Sequence, residues 1–214
     1  MRKLMAFVLC VLMFPITALG EVDLSEYTLD QLYSLRGAID ERIALLEEEQ
    51  SLPVYESGTY LVGEEIPAGI YLLQEKGYAL FPSVLVRAGI EEDSELISYD
   101  LVIHCAVINL TAGRYVTFTD VTAYPFDSAP ACGLDAENSA GEGGYWVGRQ
   151  IPAGKYQITP DEKSPLSSYS VYNDILGMNA QLLKFEVVGH STEILLEEEQ
   201  YISLSGCSIA FVEG

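Results

Sequence analysis

Tyr60-Leu61-Val62-Gly63-Glu64-Glu65-Ile66-Pro67-Ala68-Gly69-Ile70-Tyr71 returns 85 residues later as Tyr145-Trp146-Val147-Gly148-Arg149-Gln150-Ile151-Pro152-Ala153-Gly154-Lys155-Tyr156. The shared pattern is Y-x-V-G-x-x-I-P-A-G-x-Y. Proline suits the second position of a type I turn and glycine the fourth, so Ile66-Pro67-Ala68-Gly69 reads as a corner between two short strands, Tyr60 to Gly63 and Ile70 to Leu73. The same reading applies to the second copy. The repeat persists well beyond the motif, at a spacing of 86 after one residue inserted in the second copy between Tyr156 and Leu182: Leu96-Ile97-Ser98-Tyr99-Asp100-Leu101-Val102-Ile103-His104 aligns with Leu182-Leu183-Lys184-Phe185-Glu186-Val187-Val188-Gly189-His190, and Leu110, Tyr115 and Val116 align with Leu196, Tyr201 and Ile202. A repeat that holds its frame over this distance is a duplicated fold.

From Pro53 onward, short alternating apolar runs are separated by Gly, Pro, Asn and Asp, which is the mark of antiparallel strands. The expected class is therefore mainly β: two tandem, small antiparallel β-sandwich or jelly-roll-like modules, preceded by one amphipathic helix. The expected boundaries are a signal peptide at 1–20, a helical segment at 21–52, β module 1 at 53–126, a linker at 127–142 and β module 2 at 143–214. Residues 127–142 are rich in Ser, Ala and Gly and lack periodicity. Each module is near the lower limit for an independent core, so six to eight strands apiece are expected, with the modules leaning on each other or on the helix. The helix covers residues 28–49. Thr28 with Gln31 forms a capping box, and Leu32, Leu35, Ile39, Ile43 and Leu46 recur at three- and four-residue steps. That stripe has two destinations, its own β module or the same helix of another copy.

Residues 1–20 read as an export signal. Arg2 and Lys3 precede an apolar run, and Ala18-Leu19-Gly20 supplies small residues before Glu21. An uncleaved anchor is the competing reading, but Leu4 to Leu19 falls short of the ~20 residues a spanning helix needs. Cys10 lies inside the apolar run, without the small preceding residue that lipoprotein processing requires. The full chain carries 11 Lys and Arg against 32 Asp and Glu, a formal charge of −21; loss of Arg2 and Lys3 on cleavage makes it −23. Such a charge repels nucleic acid and anionic lipid. The expected location is extracellular or at the bacterial cell surface, with no membrane span after cleavage. Cys105, Cys132 and Cys207 remain, an odd number that permits at most one internal disulfide. Cys207 is expected to act as a small core hydrophobe, and Cys132 to pair with either of the others or with neither.

Trp146, the only tryptophan, is the candidate ligand-binding residue. It alternates with the copy-identical Tyr145 and Val147 and so falls on the variable face. There it is either a sugar-stacking platform or a ring packed under the linker or the other module. The 14 tyrosines read as a carbohydrate surface or as ordinary strand residues. His104 and His190, the only histidines, share one repeat position. Asp100 and Glu186 stand four residues before them, ~13 Å away along a strand. Structural histidines bonded to backbone carbonyls are expected there, in preference to a metal or acid–base pair. The acidic runs Glu47-Glu48-Glu49, Glu91-Glu92-Asp93 and Glu197-Glu198-Glu199 lack calcium-loop spacing and read as solvated ends and loops. No C-x-x-C, G-x-S-x-G, H-E-x-x-H or phosphate loop occurs, so no catalytic residue, metal or cofactor is expected.

Leu29-Asp30-Gln31-Leu32 and Leu35-Arg36, followed by the Y-x-V-G-x-x-I-P-A-G-x-Y openings, resemble a group of exported proteins of Gram-positive bacteria. Those proteins join a short S-x-x-E-L-x-x-L-R helix to β modules opening with G-x-Y-x-V-G-x-D-I-P-A-G-x-[YW]. Glu65 and Gln150 stand where that pattern has Asp. The resemblance covers about a third of the chain and implies location and architecture without site residues. The expected function is a secreted or surface non-catalytic binding protein, its ligand a glycan or another envelope component. The alternatives are an assembly component that oligomerises through residues 28–49 and a hydrolase of unknown class.

Overall fold

The computed structural model describes residues 27–50, 53–77 and 80–213. The signal-peptide reading and Cys10 lie outside the described residues. The chain divides into two units, 1–49 and 50–214, and each is taken by itself.

In the first unit, α1 (Leu29–Gln50) begins at the expected capping box. The Thr28 amide donates to Gln31 Oε1 at 2.9 Å, and the Gln31 amide donates to Thr28 Oγ1 at 3.4 Å. Two orphan donors of the first turn are thereby met. Arg36 and Asp40 pair across one turn at 3.6 Å. Leu32 and Leu35 are half-buried, whereas Ile39 and Ile43 are exposed.

The second unit is all β. Its strands are β1 (Gly58–Leu61), β2 (Gly69–Glu75), β3 (Ser83–Arg87), β4 (Leu96–Leu101), β5 (Cys105–Leu110), β6 (Tyr115–Thr119), β7 (Val121–Pro125), β8 (Ser139–Ala140), β9 (Gly143–Trp146), β10 (Gly154–Pro160), β11 (Ser168–Tyr172), β12 (Leu176–Gly177), β13 (Leu182–Val187), β14 (Thr192–Leu196), β15 (Tyr201–Ser205) and β16 (Cys207–Glu213). Module 1 is a sandwich of sheets β1-β6-β3-β4 and β12-β5-β2-β7; module 2 is a sandwich of β13-β11-β15-β9 and β14-β10-β16-β8. Seven strands correspond one to one between the copies. The chain switches sheets between β6 and β7 at the single residue Asp120, and between β15 and β16 at Gly206; both have left-handed backbones, with φ of 52° and 63°. The carbonyl freed at each switch is taken by the same neighbour: Lys76 N donates to Asp120 O and Asp161 N to Gly206 O, both at 2.8 Å.

The repeated motif is a β-arch, because β1 and β2 lie in different sheets. Its hydrogen-bonded turn sits earlier than the sequence suggests. Gly63 N donates to Ile66 O at 2.7 Å, and Glu64 N and Glu65 N both donate to Leu61 O. Copy 2 repeats this with Gly148, Ile151, Arg149, Gln150 and Trp146. The tight turn is thus V-G-x-x-I, made possible by φ values of 97° at Gly63 and 89° at Gly148. Ile-Pro-Ala-Gly is the bend that leads out of it into the other sheet.

The modules share one continuous core. Strand β12, from the β11–β13 connection of module 2, adds in parallel to β5 of module 1 through Leu176↔Ile108 and Gly177↔Asn109. Ile175 and Leu176 are buried there. The segment expected to be a plain linker is also built in. Its β8 pairs with β16, Phe211 N donates to Asn138 O at 2.9 Å, and Cys132 is disulfide-bonded to Cys105. Local composition hid this because these three restraints come from residues distant in sequence. Cys207 is a buried free thiol that contacts Ser168 O at 3.3 Å, and burial pushes its pKa up.

Candidate functional site

The tyrosine hydroxyls that the two copies share are occupied by the scaffold. Tyr71 Oη donates to Pro67 O at 2.9 Å and Tyr156 Oη to Pro152 O at 2.6 Å, so the last residue of the motif clamps its proline. Tyr60 Oη reaches Glu56 O and Tyr145 Oη reaches Gly141 O, again four residues back. Burial pushes Tyr71, Tyr145 and Tyr156 up to about 12, which keeps them protonated donors. Glu65 Oε2 accepts from Leu61 N at 2.7 Å and Gln150 Oε1 from Trp146 N at 2.8 Å. This position needs a side-chain acceptor that bends back onto its own turn, a role that Glu and Gln fill alike.

The two histidines stay apart. His104 lies in the turn before β5, with φ 57°, and His190 in the turn before β14; both are exposed. Neither ring has a hydrogen bond among the described residues, so the expected bond to a backbone carbonyl is not made. It is the backbone of His104 that is engaged, its carbonyl accepting from Glu75 N at 3.1 Å. The two aligned carboxylates differ sharply. Glu186 accepts from Lys184 Nζ at 2.9 Å and Tyr169 Oη at 2.8 Å, which hold it below the usual carboxylate range. Asp100 is half-buried beside Tyr172 and Tyr201 of module 2, and burial raises it to about 6. Among the described residues no group of three or more His, Cys, Asp or Glu side chains is placed to hold a metal ion.

Trp146 is 6% exposed. Phe126 meets its ring edge-on at 5.4 Å, and the Arg149 guanidinium lies over it at 5.4 Å. Of the two readings of Trp146, the exposed sugar-stacking platform is corrected and the ring packed under the linker is what the structure shows: the segment after β7 covers it, because an indole gains more from burial than from standing in water. Its Nε1 is buried without a hydrogen-bond partner.

Concave surface lies where that segment, residues 126–142, straps across the body. Gln150 Nε2 donates to Cys132 O at 3.1 Å, and the backbone of Gln150 leaves no room for a Cβ at Gly133. Asp135 ties the strap to itself: Oδ1 accepts from Glu137 N and Ser139 N, and Oδ2 from Ser139 Oγ, which holds this carboxyl below its ordinary value. On one side is a cleft of about 520 Å³ bordered by Glu75, His104, Asp135, Glu142 and Tyr145, with no Lys or Arg. On the other is a cleft of about 310 Å³ bordered by Leu72, Phe126, Leu134, Arg149 and Gln150. Ala131, Cys132 and Gly133 line both. One lobe is acidic and the other mixed polar and apolar, with a single cation. The sequence signal for this site was Cys132, the one strongly interacting residue in a stretch of small ones.

Together these features define a capped helix in one unit and, in the other, a duplicated β-sandwich body with a double cleft beside the strap of residues 126–142. The chain matches no protein-family model and no curated protein.

Proposed function

We propose that this chain is an exported, non-catalytic binding protein that takes a glycan or another cell-envelope component in the strapped double cleft. One observation carries the reading: the tyrosine hydroxyls that the copies share are spent on corners and turns, while the cleft carboxylates Glu75 and Glu142 are not shared by the copies. Glu75 aligns with Pro160 and Glu142 with Ser57. Carboxylates on a concave surface accept hydrogen bonds from sugar hydroxyls and pair with amino groups, and the apolar side chains of the other lobe suit a ring face or an alkyl substituent. The Cys105–Cys132 disulfide fits an oxidising exterior, as do the export signal and the resemblance to exported Gram-positive proteins. The test is titration of soluble glycans and envelope fragments, followed by fluorescence of Trp146 beneath the strap. Binding weakened at least about tenfold by Glu75→Gln, the loss of one charge-assisted hydrogen bond, is the expected result. Absence of binding across the panel, or full binding by Glu75→Gln with His104→Ala, refutes it.

A second reading is assembly through residues 28–49, favoured by the exposed Tyr33, Ile39 and Ile43 on α1. Sedimentation of a chain carrying Ile39→Glu and Ile43→Glu tests it, since unchanged mass excludes the helix as the contact.

A further inference from the structure

Strand β13 is an edge strand, and most of it is exposed: Leu182 56%, Leu183 56%, Phe185 58% and Val187 55%. Unpaired edges that carry apolar side chains invite another strand. The strand has two chemically distinct faces. Lys184 and Glu186 lie on the side of the buried Tyr169, with Lys184 Nζ 5.1 Å from that ring and Glu186 bonded to its hydroxyl. Phe185 and Val187 therefore line the outer face, opposite Ser170 and Ser168 of β11, and Leu183 is the extra residue of a bulge between Leu182 and Lys184.

The order Leu183-Lys184-Phe185-Glu186-Val187 is complementary to itself when reversed. If two copies align antiparallel about Phe185, Leu183 faces Val187 of the second copy, Lys184 faces its Glu186, and the two Phe185 rings meet on the axis. Each charge meets its opposite and each apolar residue an apolar one, and such cross-strand pairs are the units of sheet stability. The edge strands β4 and β14 do not read this way. On β4 the aligned Ile97-Ser98-Tyr99-Asp100-Leu101 would set Ser98 against Asp100. The edge strand β14 carries Glu193 and runs into Glu197, Glu198 and Glu199, so on a strongly acidic chain its like charges repel a second copy.

We infer that β13 is a homodimerisation edge, where a second copy of this chain adds antiparallel about Phe185 and joins two four-stranded sheets into one. The contact is isologous and closes on itself, giving a dimer and no filament. It is independent of the helix and of the cleft.

Reciprocal charge reversal in the full chain tests it by sedimentation at micromolar concentration. Lys184→Glu and Glu186→Lys each place two like-charged pairs across the axis, and each is expected to weaken self-association more than about tenfold. An equimolar mixture of the two restores every pairing and is expected to form a heterodimer of wild-type stability. Unchanged Trp146 fluorescence verifies that the exposed substitutions leave the fold intact. A monomeric wild type, single variants that associate like the wild type, or a mixture that fails to recover would each overturn the inference.

Discussion

Replacing Asp100 by asparagine is expected to stabilise the β body at neutral pH and to leave it unchanged in mild acid. Asp100 sits on β4 of module 1, half-buried against Tyr172 and Tyr201 of module 2, with no ion pair among the described residues. Burial disfavours the carboxylate and raises its pKa from 3.8 to about 6. A carboxyl with a folded value above its unfolded one binds its proton more tightly when folded. Its contribution to stability is therefore fully present below 3.8 and is lost as pH rises through about 6. At about 1.4 kcal/mol per unit, the charged form costs the fold up to roughly 3 kcal/mol at neutral pH. Asparagine has nearly the same shape and never carries the charge. Tyr172 and Tyr201 are both raised by burial and stay neutral throughout, so the difference between variant and wild type isolates Asp100 from the other acids. Urea unfolding followed by Trp146 fluorescence measures it at several pH values. The variant's advantage should grow from near zero at about pH 4 to as much as about 3 kcal/mol above pH 7. A difference that does not vary with pH, or a variant less stable at neutral pH, would refute the reasoning.

The same titration checks three further expectations. Cys132→Ser opens a loop of sequence separation 27 and should cost about 3–4 kcal/mol; addition of reductant to the wild type should lower its midpoint comparably. Tyr71→Phe and Tyr156→Phe each remove one hydroxyl bond to a proline carbonyl and should cost about 1 kcal/mol apiece, with equal values because the two corners share one geometry. Gly63→Ala and Gly148→Ala force a side chain into left-handed backbone and should each cost about 1–2 kcal/mol; a neutral result at either would show that the turn relaxes.

The arch and its tyrosines illustrate how far local chemistry carries. Pro67, Gly69 and their repeats announced a corner because those residues act through their own φ angles. The hydrogen-bonded turn nevertheless lay one step earlier, over V-G-x-x-I, since Glu65 and Gln150 reach back to backbone groups that periodicity does not reveal. Trp146 was legible as copy-specific, and its burial under the linker was one of two readings; which residue covers it was not legible. Its cover, Phe126, lies 20 residues away in a segment whose composition resembles a free linker. The histidines were visible as a pair, yet one repeat position in two modules is two separate places.

The duplication, the sheet-forming pattern and the capped helix were determined by the sequence alone, because each depends on spacing within a short window. The merging of two modules into one core, the strap drawn over Trp146 by Cys105 and Cys132, and the differing fates of Asp100 and Glu186 were decided only by the tertiary structure. Those outcomes depend on which distant residues share a neighbourhood, and burial and charge act through space with no regard for position along the chain.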